Sequence, residues 1–394
     1  MKDNKNQNAL LYRYRIIIFI IIVFVSAFLR FYHISDRFVY IDEYKAVEFA
    51  LMSPSELLNA LSSREPHPPL HYLFIHYWMK MVKPSLFEWK SSSEISDSEP
   101  QGLFSPRFIL RLPGVIFSIV TLILVYGFAS KLYNCRVALA STIIFSLSRF
   151  EIFWAQTIRY PSLIMLLGLI STYLFYLFWE KLKGNDFSKM VIIALGYILS
   201  TVAGLYTHYY MFLVMLFQNV YFFIKIKDIA SKGGSRTTPT RKILLWLLLQ
   251  IIVVIGFLFW LPILFKQFSI TATYSYGVAH STLSSIPLLL YRFLFMYGLQ
   301  TYTPVGGILG FICFGVFAFL FIFSIKGNRL IIYLNLFVPI IVVFLLTSLK
   351  QLFVEHYFMF CFPAYAIFMG VGLEKVLRLF VNLLIRHKII FKEM

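Results

Sequence analysis

Apolar residues run along this chain in long blocks separated by short polar breaks. A membrane-crossing helix needs about 20 mostly apolar residues. The pattern predicts spans at Tyr14–Tyr32, Phe108–Ser130, Val137–Leu147, Ser162–Trp179, Met190–Tyr206, Tyr209–Ile224, Ile243–Leu264, Val305–Ile325, Leu330–Leu349 and Tyr357–Leu379. That makes about 10, or 11–12 if shorter blocks also cross. The expected fold class is an all-α polytopic membrane protein forming a single integral domain. The block at Val137 is short, and its polar end continues to Gln156. Val25-Ser26-Ala27 could pass for a signal-peptidase site, but apolar residues continue past it, so the first block reads as an uncleaved anchor.

Two apolar stretches are too short to cross. Leu70–Val82 (LHYLFIHYWMKMV) reaches only about 20 Å as a helix. Its bulky residues Leu70, Leu73, Phe74, Tyr77, Trp78 and Met81 fall on one stripe. The expectation is a helix lying flat at the interface with its His and Lys outward. Ile286–Gly298 is equally short and carries Arg292 at its middle.

Residues 33–107 form the longest loop. Short helices are expected at Tyr44–Met52 and Pro54–Ser62, the second opened by the capping box Ser53–Glu56. Residues 84–105 are polar and low in complexity, and a flexible segment is expected there. Residues 225–242 read as a basic cytoplasmic loop.

Composition agrees with this pattern. Of 394 residues 59% are hydrophobic, and only 14% are charged. The three cysteines, Cys135, Cys313 and Cys361, suggest no disulfide framework, metal cluster or catalytic thiol. The net charge of +18 raises the question of nucleic acid, and its distribution answers it. With the N-terminus inside, the inner segments hold 22 basic and 6 acidic residues, and the outer ones 14 and 12. The balance is +16 inside against +2 outside, a strong positive-inside asymmetry that needs no nucleic acid. Both termini are therefore expected on the cytoplasmic side, in the plasma membrane, and the long loop faces out.

Ionisable groups then collect at the outer ends of spans: Asp42, Glu43, Glu65, His67, Arg159, His208, Lys350, Glu355 and His356. Each has a plain alternative. Asp42 and Glu43 can cap the helix from Tyr44, Arg159 can anchor at the interface, and His208 can be a polar turn residue. Together they suit transfer to a hydroxyl from an anionic leaving group. One carboxylate takes the acceptor proton, and cations stabilise charge developing on the departing phosphate.

Several short motifs occur in a definite order. They are the acidic pair Asp42-Glu43, HPPL from His67, RLPG at Arg111–Gly114, AQTIRYPSL around Arg159, THYY around His208, and EHYFMFCFPAYA from Glu355. In this the chain resembles the GT-C glycosyltransferases that use polyprenyl-phosphate sugars, in the branch holding protein O-mannosyltransferases and the lipid A aminoarabinose transferase. The resemblance implies a GT-C-like helical bundle and inverting transfer on the extracytoplasmic face. The donor would be a sugar on dolichyl or undecaprenyl phosphate, and the acceptor a hydroxyl of a glycan, lipid or protein. It implies Asp42 as general base, Glu43 orienting the loop or acceptor, and Arg159 followed by Tyr160 facing the donor phosphate. Lys350, His356 and His208 would assist at the phosphate, and Glu65 and His67 would position the loop or acceptor. The base is expected to stand apart from Arg159, because the acceptor attacks from the side opposite the phosphate.

The chain departs from the family pattern at Thr157, where an acid is common, and at His356-Tyr357, where Arg-Tyr is common. Lys350 is read as the compensating cation. Since the chain ends soon after its last span, no built-in acceptor module is expected. Asp42, Glu43, Glu65 and His67 could hold a hard divalent metal, but with phosphate-binding cations nearby the expected mechanism uses no metal or other cofactor. The alternatives are a lipid-linked glycan flippase or polymerase, and a non-enzymatic assembly partner. A flippase carries charge along span interiors and transporters often show internal repeats. Here span interiors are nearly free of charge, no repeat is found, and the reading favours surface chemistry.

Overall fold

The computed structural model describes residues 2–37, 39–82, 105–184, 189–230, 237–271, 282–296, 304–347 and 353–393. These residues are all-α. In chain order the helices are α1 (Lys2–Phe31), α2 (Ile41–Leu51), α3 (Pro54–Arg64), α4 (Leu70–Val82), α5 (Pro106–Leu132), α6 (Cys135–Leu147), α7 (Arg149–Ala155) and α8 (Pro161–Lys183). They continue with α9 (Met190–Leu205), α10 (Met211–Ala230), α11 (Thr237–Phe257), α12 (Leu261–Thr271), α13 (Ser285–Phe295), α14 (Pro304–Ile325), α15 (Leu330–Thr347) and α16 (Phe362–Glu393).

Among the described residues, 5 helices are long and apolar enough to cross a membrane, or 6 if the bent pair α6–α7 counts as one. The chain is a polytopic membrane protein. The sequence count was higher because it included four further segments. Of these, α9 is apolar but only 16 residues long, α14 is apolar and counts only from Gly310 to Ile325, and α10 and α16 take up charged residues toward their C-terminal ends. The basic loop shrinks: residues 225–230 extend α10, and 237–242 begin α11. The flexible stretch expected at 84–105 lies, apart from Ser105, outside the described residues.

Local chemistry explains the breaks. Ser148 caps α7 by accepting from Glu151 N at 3.0 Å, and its hydroxyl donates to the Phe293 carbonyl at 2.5 Å. This joins the 63° bend between α6 and α7 to α13. Ser105 accepts from Phe108 N at 3.2 Å with Pro106 next in line, so α5 begins abruptly. Gly114 lets α5 approach the end of α7. A Cβ there would meet the Ala155 carbonyl oxygen at 2.6 Å.

The core is apolar and aromatic, but it is stitched by polar groups inside the bundle. Tyr197 donates to Gln218 at 3.0 Å and accepts from Gln250 at 3.0 Å, linking α9, α10 and α11. A second stitch carries charge. Arg30, near the end of α1, is fully buried and pairs with Glu151 of α7. It also donates to Ser118 Oγ at 2.5 Å and to the Ser26 carbonyl at 2.9 Å. This pair qualifies the reading of nearly charge-free span interiors. A charge in this setting is held by its partner, and this one ties α1, α5 and α7 together.

The short helices gather at one end of the bundle, where α1 ends and α5 and α8 begin. The first of them, α2, starts three residues earlier than expected, so Asp42 and Glu43 lie in its first turn rather than ahead of it. Next, α3 has the expected capping box, with Ser53 N donating to Glu56 at 3.0 Å. Finally, α4 has the expected bounds but the opposite facing. Its buried residues are His71, Tyr72, Ile75, His76 and Met79, while Tyr77 and Met81 of the apolar stripe are exposed. For His76 the protein offers a partner: its Nδ1 donates to the Ala50 carbonyl at 2.8 Å. Lys80 alone of the expected polar face is exposed.

Candidate functional site

Four segments that are far apart in sequence meet at this end. They are Glu65–His71, Gln156–Tyr160, Thr207–Tyr210 and Glu355–Tyr357. Tyr160 is at the centre. Its ring centroid lies 4.7 Å from His208, 4.9 Å from His67, 6.3 Å from His356, and 6.4 Å from both His71 and Tyr357. The Arg159 guanidinium carbon is 5.3 Å from the same centroid.

The backbone holds these segments together. Leu70 N donates to the Tyr206 carbonyl at 2.8 Å, fixing the start of α4 to the turn that carries His208. Gln267 of α12 donates to the carbonyls of Leu61 and Glu65, each at 2.8 Å, and accepts from the Tyr209 hydroxyl. Gln156 donates to the carbonyls of Arg30 at 3.0 Å and Tyr32 at 2.8 Å, which seats the loop before Arg159 on the end of α1.

Glu43 and Asp42 are adjacent but in opposite surroundings. Glu43 is 1% exposed. Its two oxygens accept from Arg111 Nε at 3.1 Å and Nη2 at 3.0 Å, a bidentate pair. It also accepts from Ile158 N at 2.8 Å and Tyr40 N at 3.1 Å. Arg111 in turn donates to the carbonyls of Ile34 at 2.7 Å and Arg37 at 3.0 Å. Glu43 is thus the hub that joins α2, α5 and the loop leading to Arg159.

Asp42 is open, with its side chain 54% exposed, and its carboxylate lies 3.5 Å from Arg159 Nη1. Its carbonyl accepts from the same nitrogen at 3.3 Å. The expectation that Asp42 stands apart from Arg159 is therefore corrected: a guanidinium with little exposure is held by the nearest carboxylate. Burial alone would lower the Arg159 pKa, but Tyr160, Tyr72, Asp42 and Glu65 more than offset it, so the net direction is upward.

The histidines divide into two kinds. His67 Nδ1 donates to Glu65 at 2.5 Å. Burial opposes ionisation of Glu65, yet His67 and Arg159 carry its pKa below the usual value. In His71, His208 and His356 the neutral form is favoured. Burial lowers all three, His71 to about 3, and Arg159 and His67 add to it. These imidazoles are neutral at pH 7. His208 Nδ1 accepts from Tyr210 N at 3.1 Å, so in the neutral ring the proton sits on Nε2 and that nitrogen is a donor. Glu355, beside His356, is ion-paired to Arg292 of α13.

Of the residues singled out in the sequence, the structure gathers Asp42, Glu65, His67, Arg159, Tyr160, His208 and His356, and places Glu43 beneath them. Lys350 lies outside the described residues. Sequence reasoning missed His71 and Tyr72, and it named Arg111 only within a motif. The polar residues inside the apolar pattern of α4 were the available signal. Among the described residues no group of three or more His, Cys, Asp and Glu side chains could hold a metal ion.

No protein-family model matches the chain, and no curated protein sequence matches it. Among solved structures, the Archaeoglobus fulgidus oligosaccharyltransferase in its apo form is similar, with a TM-score of 0.53 and 11% identity over 95% of this chain and 52% of that one. The same enzyme in complex with Zn and sulfate gives 0.50 and 12% over 91% and 49%. This chain spans about half the length of that protein. At such identity the likeness is one of fold: the chain shares a helical membrane fold with part of an archaeal oligosaccharyltransferase.

Proposed function

We propose that this protein is an inverting glycosyltransferase. It moves a sugar from a polyprenyl-phosphate donor to a hydroxyl acceptor at the extracytoplasmic face of the plasma membrane. The observation that carries the reading is the meeting of four sequence-distant motifs around one buried guanidinium, Arg159, with an open carboxylate, Asp42, beside it. The fold likeness supports the class of enzyme, and the +16 against +2 charge balance supports the orientation.

In this reading the donor phosphate displaces Asp42 from Arg159. The guanidinium pairs with phosphate oxygens, and His208 and His356 offer neutral imidazole nitrogens beside it. The freed Asp42 turns to the acceptor. The acceptor oxygen bonds to the anomeric carbon from the face opposite the phosphate. The carbon–oxygen bond to phosphate breaks, its electron pair leaves with the phosphate, and the hydroxyl proton passes to Asp42. Glu65 and His67 hold the loop facing the acceptor.

The test is turnover in nanodiscs with polyprenyl-phosphate hexoses and pentoses labelled in the sugar. Release of polyprenyl phosphate with transfer of label to a hydroxyl acceptor is expected. Sugar that reaches the other leaflet still bonded to phosphate would overturn the reading in favour of a flippase. Cysteines at Ser92 and Ser235 check orientation. An impermeant thiol reagent applied outside should label only the first.

A further inference from the structure

Three buried nitrogens around the candidate site lack a hydrogen-bond partner among the described residues: Trp154 Nε1, His356 Nε2 and Arg159 Nε. Their side chains belong to one cluster. The Trp154 and His356 ring centroids are 4.4 Å apart at an interplanar angle of 31°. His356 and Arg159 both approach the Tyr160 ring, at 6.3 and 5.3 Å.

The indole is the telling member. Its N–H can only donate, and a buried donor without an acceptor is destabilising. Other indoles of this protein avoid that situation. Trp78 donates to the Ile109 carbonyl at 2.9 Å, Trp246 to Asn219 at 2.8 Å and Trp260 to the Tyr209 hydroxyl at 3.0 Å. Trp154 is also anchored through its own carbonyl, which accepts from Thr157 Oγ1 at 2.7 Å and Ser162 Oγ at 3.4 Å. An anchored donor packed on His356, one of the side chains that with Arg159 surround Tyr160, is an unused donor at the edge of the candidate phosphate site.

We propose that Trp154 is a further ligand-binding residue, its indole N–H donating to a non-bridging oxygen of the phosphate group that pairs with Arg159. The proposal rests on the reading of Arg159 as a lipid-phosphate site, and it adds a donor that fixes the phosphate's orientation as well as its charge.

Trp154→Phe keeps an aromatic ring against His356 and removes only the N–H. Protein labelled with 15N at the indoles is placed in nanodiscs and titrated with undecaprenyl phosphate carrying no sugar. The Trp154 resonance is identified by its loss in the variant. Binding is expected to move that resonance, and Trp154→Phe to weaken affinity about 10-fold without lowering the melting temperature. A parallel titration with inorganic phosphate separates the sources. A shift with both ligands marks a seat that reads phosphate alone, and a shift with the lipid alone marks a phosphate delivered by its tail; either supports the proposal. A resonance unmoved by both, or equal affinity in wild type and variant, overturns it. Because no turnover is involved, a Trp154 response without glycosyl transfer would refute the transferase reading and leave this donor in place. Transfer without the response would refute only the donor.

Discussion

The Asp42 carboxylate lies 3.5 Å from the Arg159 guanidinium, and the Asp42 side chain is the exposed member of the pair, 54% against 9%. A carboxylate in that position competes with any anion that Arg159 binds. Asp42→Asn should therefore do two things. Turnover falls about 10²–10⁴-fold, as for loss of a general base, and affinity for the lipid phosphate holds or rises because the competitor is gone. Turnover and donor affinity measured together check this. Near-wild-type turnover in Asp42→Asn would leave Asp42 as a mere screen for Arg159.

Arg159→Lys keeps a positive charge but loses the planar fork that meets two phosphate oxygens at once. Turnover is expected to fall strongly while the protein stays folded. Unchanged kinetics with the lipid donor would remove Arg159 from the site.

Glu43 differs from its neighbour because it is buried and fully bonded. Removing one partner of a buried pair leaves an uncompensated charge, typically about 3–5 kcal/mol. Glu43→Gln should lower the melting temperature markedly, and the double variant Glu43→Gln with Arg111→Met should lose less than the two single variants summed. Additive losses would mean that the bidentate pair contributes no coupling. By contrast Asp42→Asn, on the exposed side, should leave the melting temperature near that of wild type.

Acid should destabilise the protein between pH 7 and 5. His71, His208 and His356 titrate below the ordinary value of 6.5, chiefly because of burial, with His71 at about 3. Below pH 6.5 the unfolded chain takes up protons that the folded one refuses. Their contribution is complete above that pH and falls on acidification, by up to about 1.4 kcal/mol per pH unit for each histidine. Glu65 has the same sign at lower pH. Its value lies below 4.5, so its contribution is present above 4.5 and is lost as the pH falls through the folded value. Melting temperatures recorded from pH 7 to 5 check this, and a flat profile would contradict neutral buried imidazoles.

The amino-acid sequence by itself determined the class of protein and most of its helices. Apolar length and helical period are local properties, so α3, α4, α5 and α8 could be placed from a window of a dozen or two residues. The capping box at Ser53, with Pro54 at the first helical position, marked the start of α3 for the same reason. The motif residues were also visible, because ionisable groups are rare in so apolar a chain. Only the tertiary structure decided what they do to one another. The partners Glu43 and Arg111 are 68 positions apart, and Arg30 and Glu151 are 121 apart. Helical periodicity carries no information at that range, whereas a buried charge must find its counter-charge wherever the fold provides it. The same logic turned His76 inward on a helix whose pattern predicted the reverse. A polar group goes where hydrogen-bond partners are, and the apolar stripe of α4 had an alternative outside the protein. The separation of Asp42 from Glu43, one open and one buried, arises because successive residues of a helix point about 100° apart, and only the packing of α5 beneath α2 determines which of them is covered.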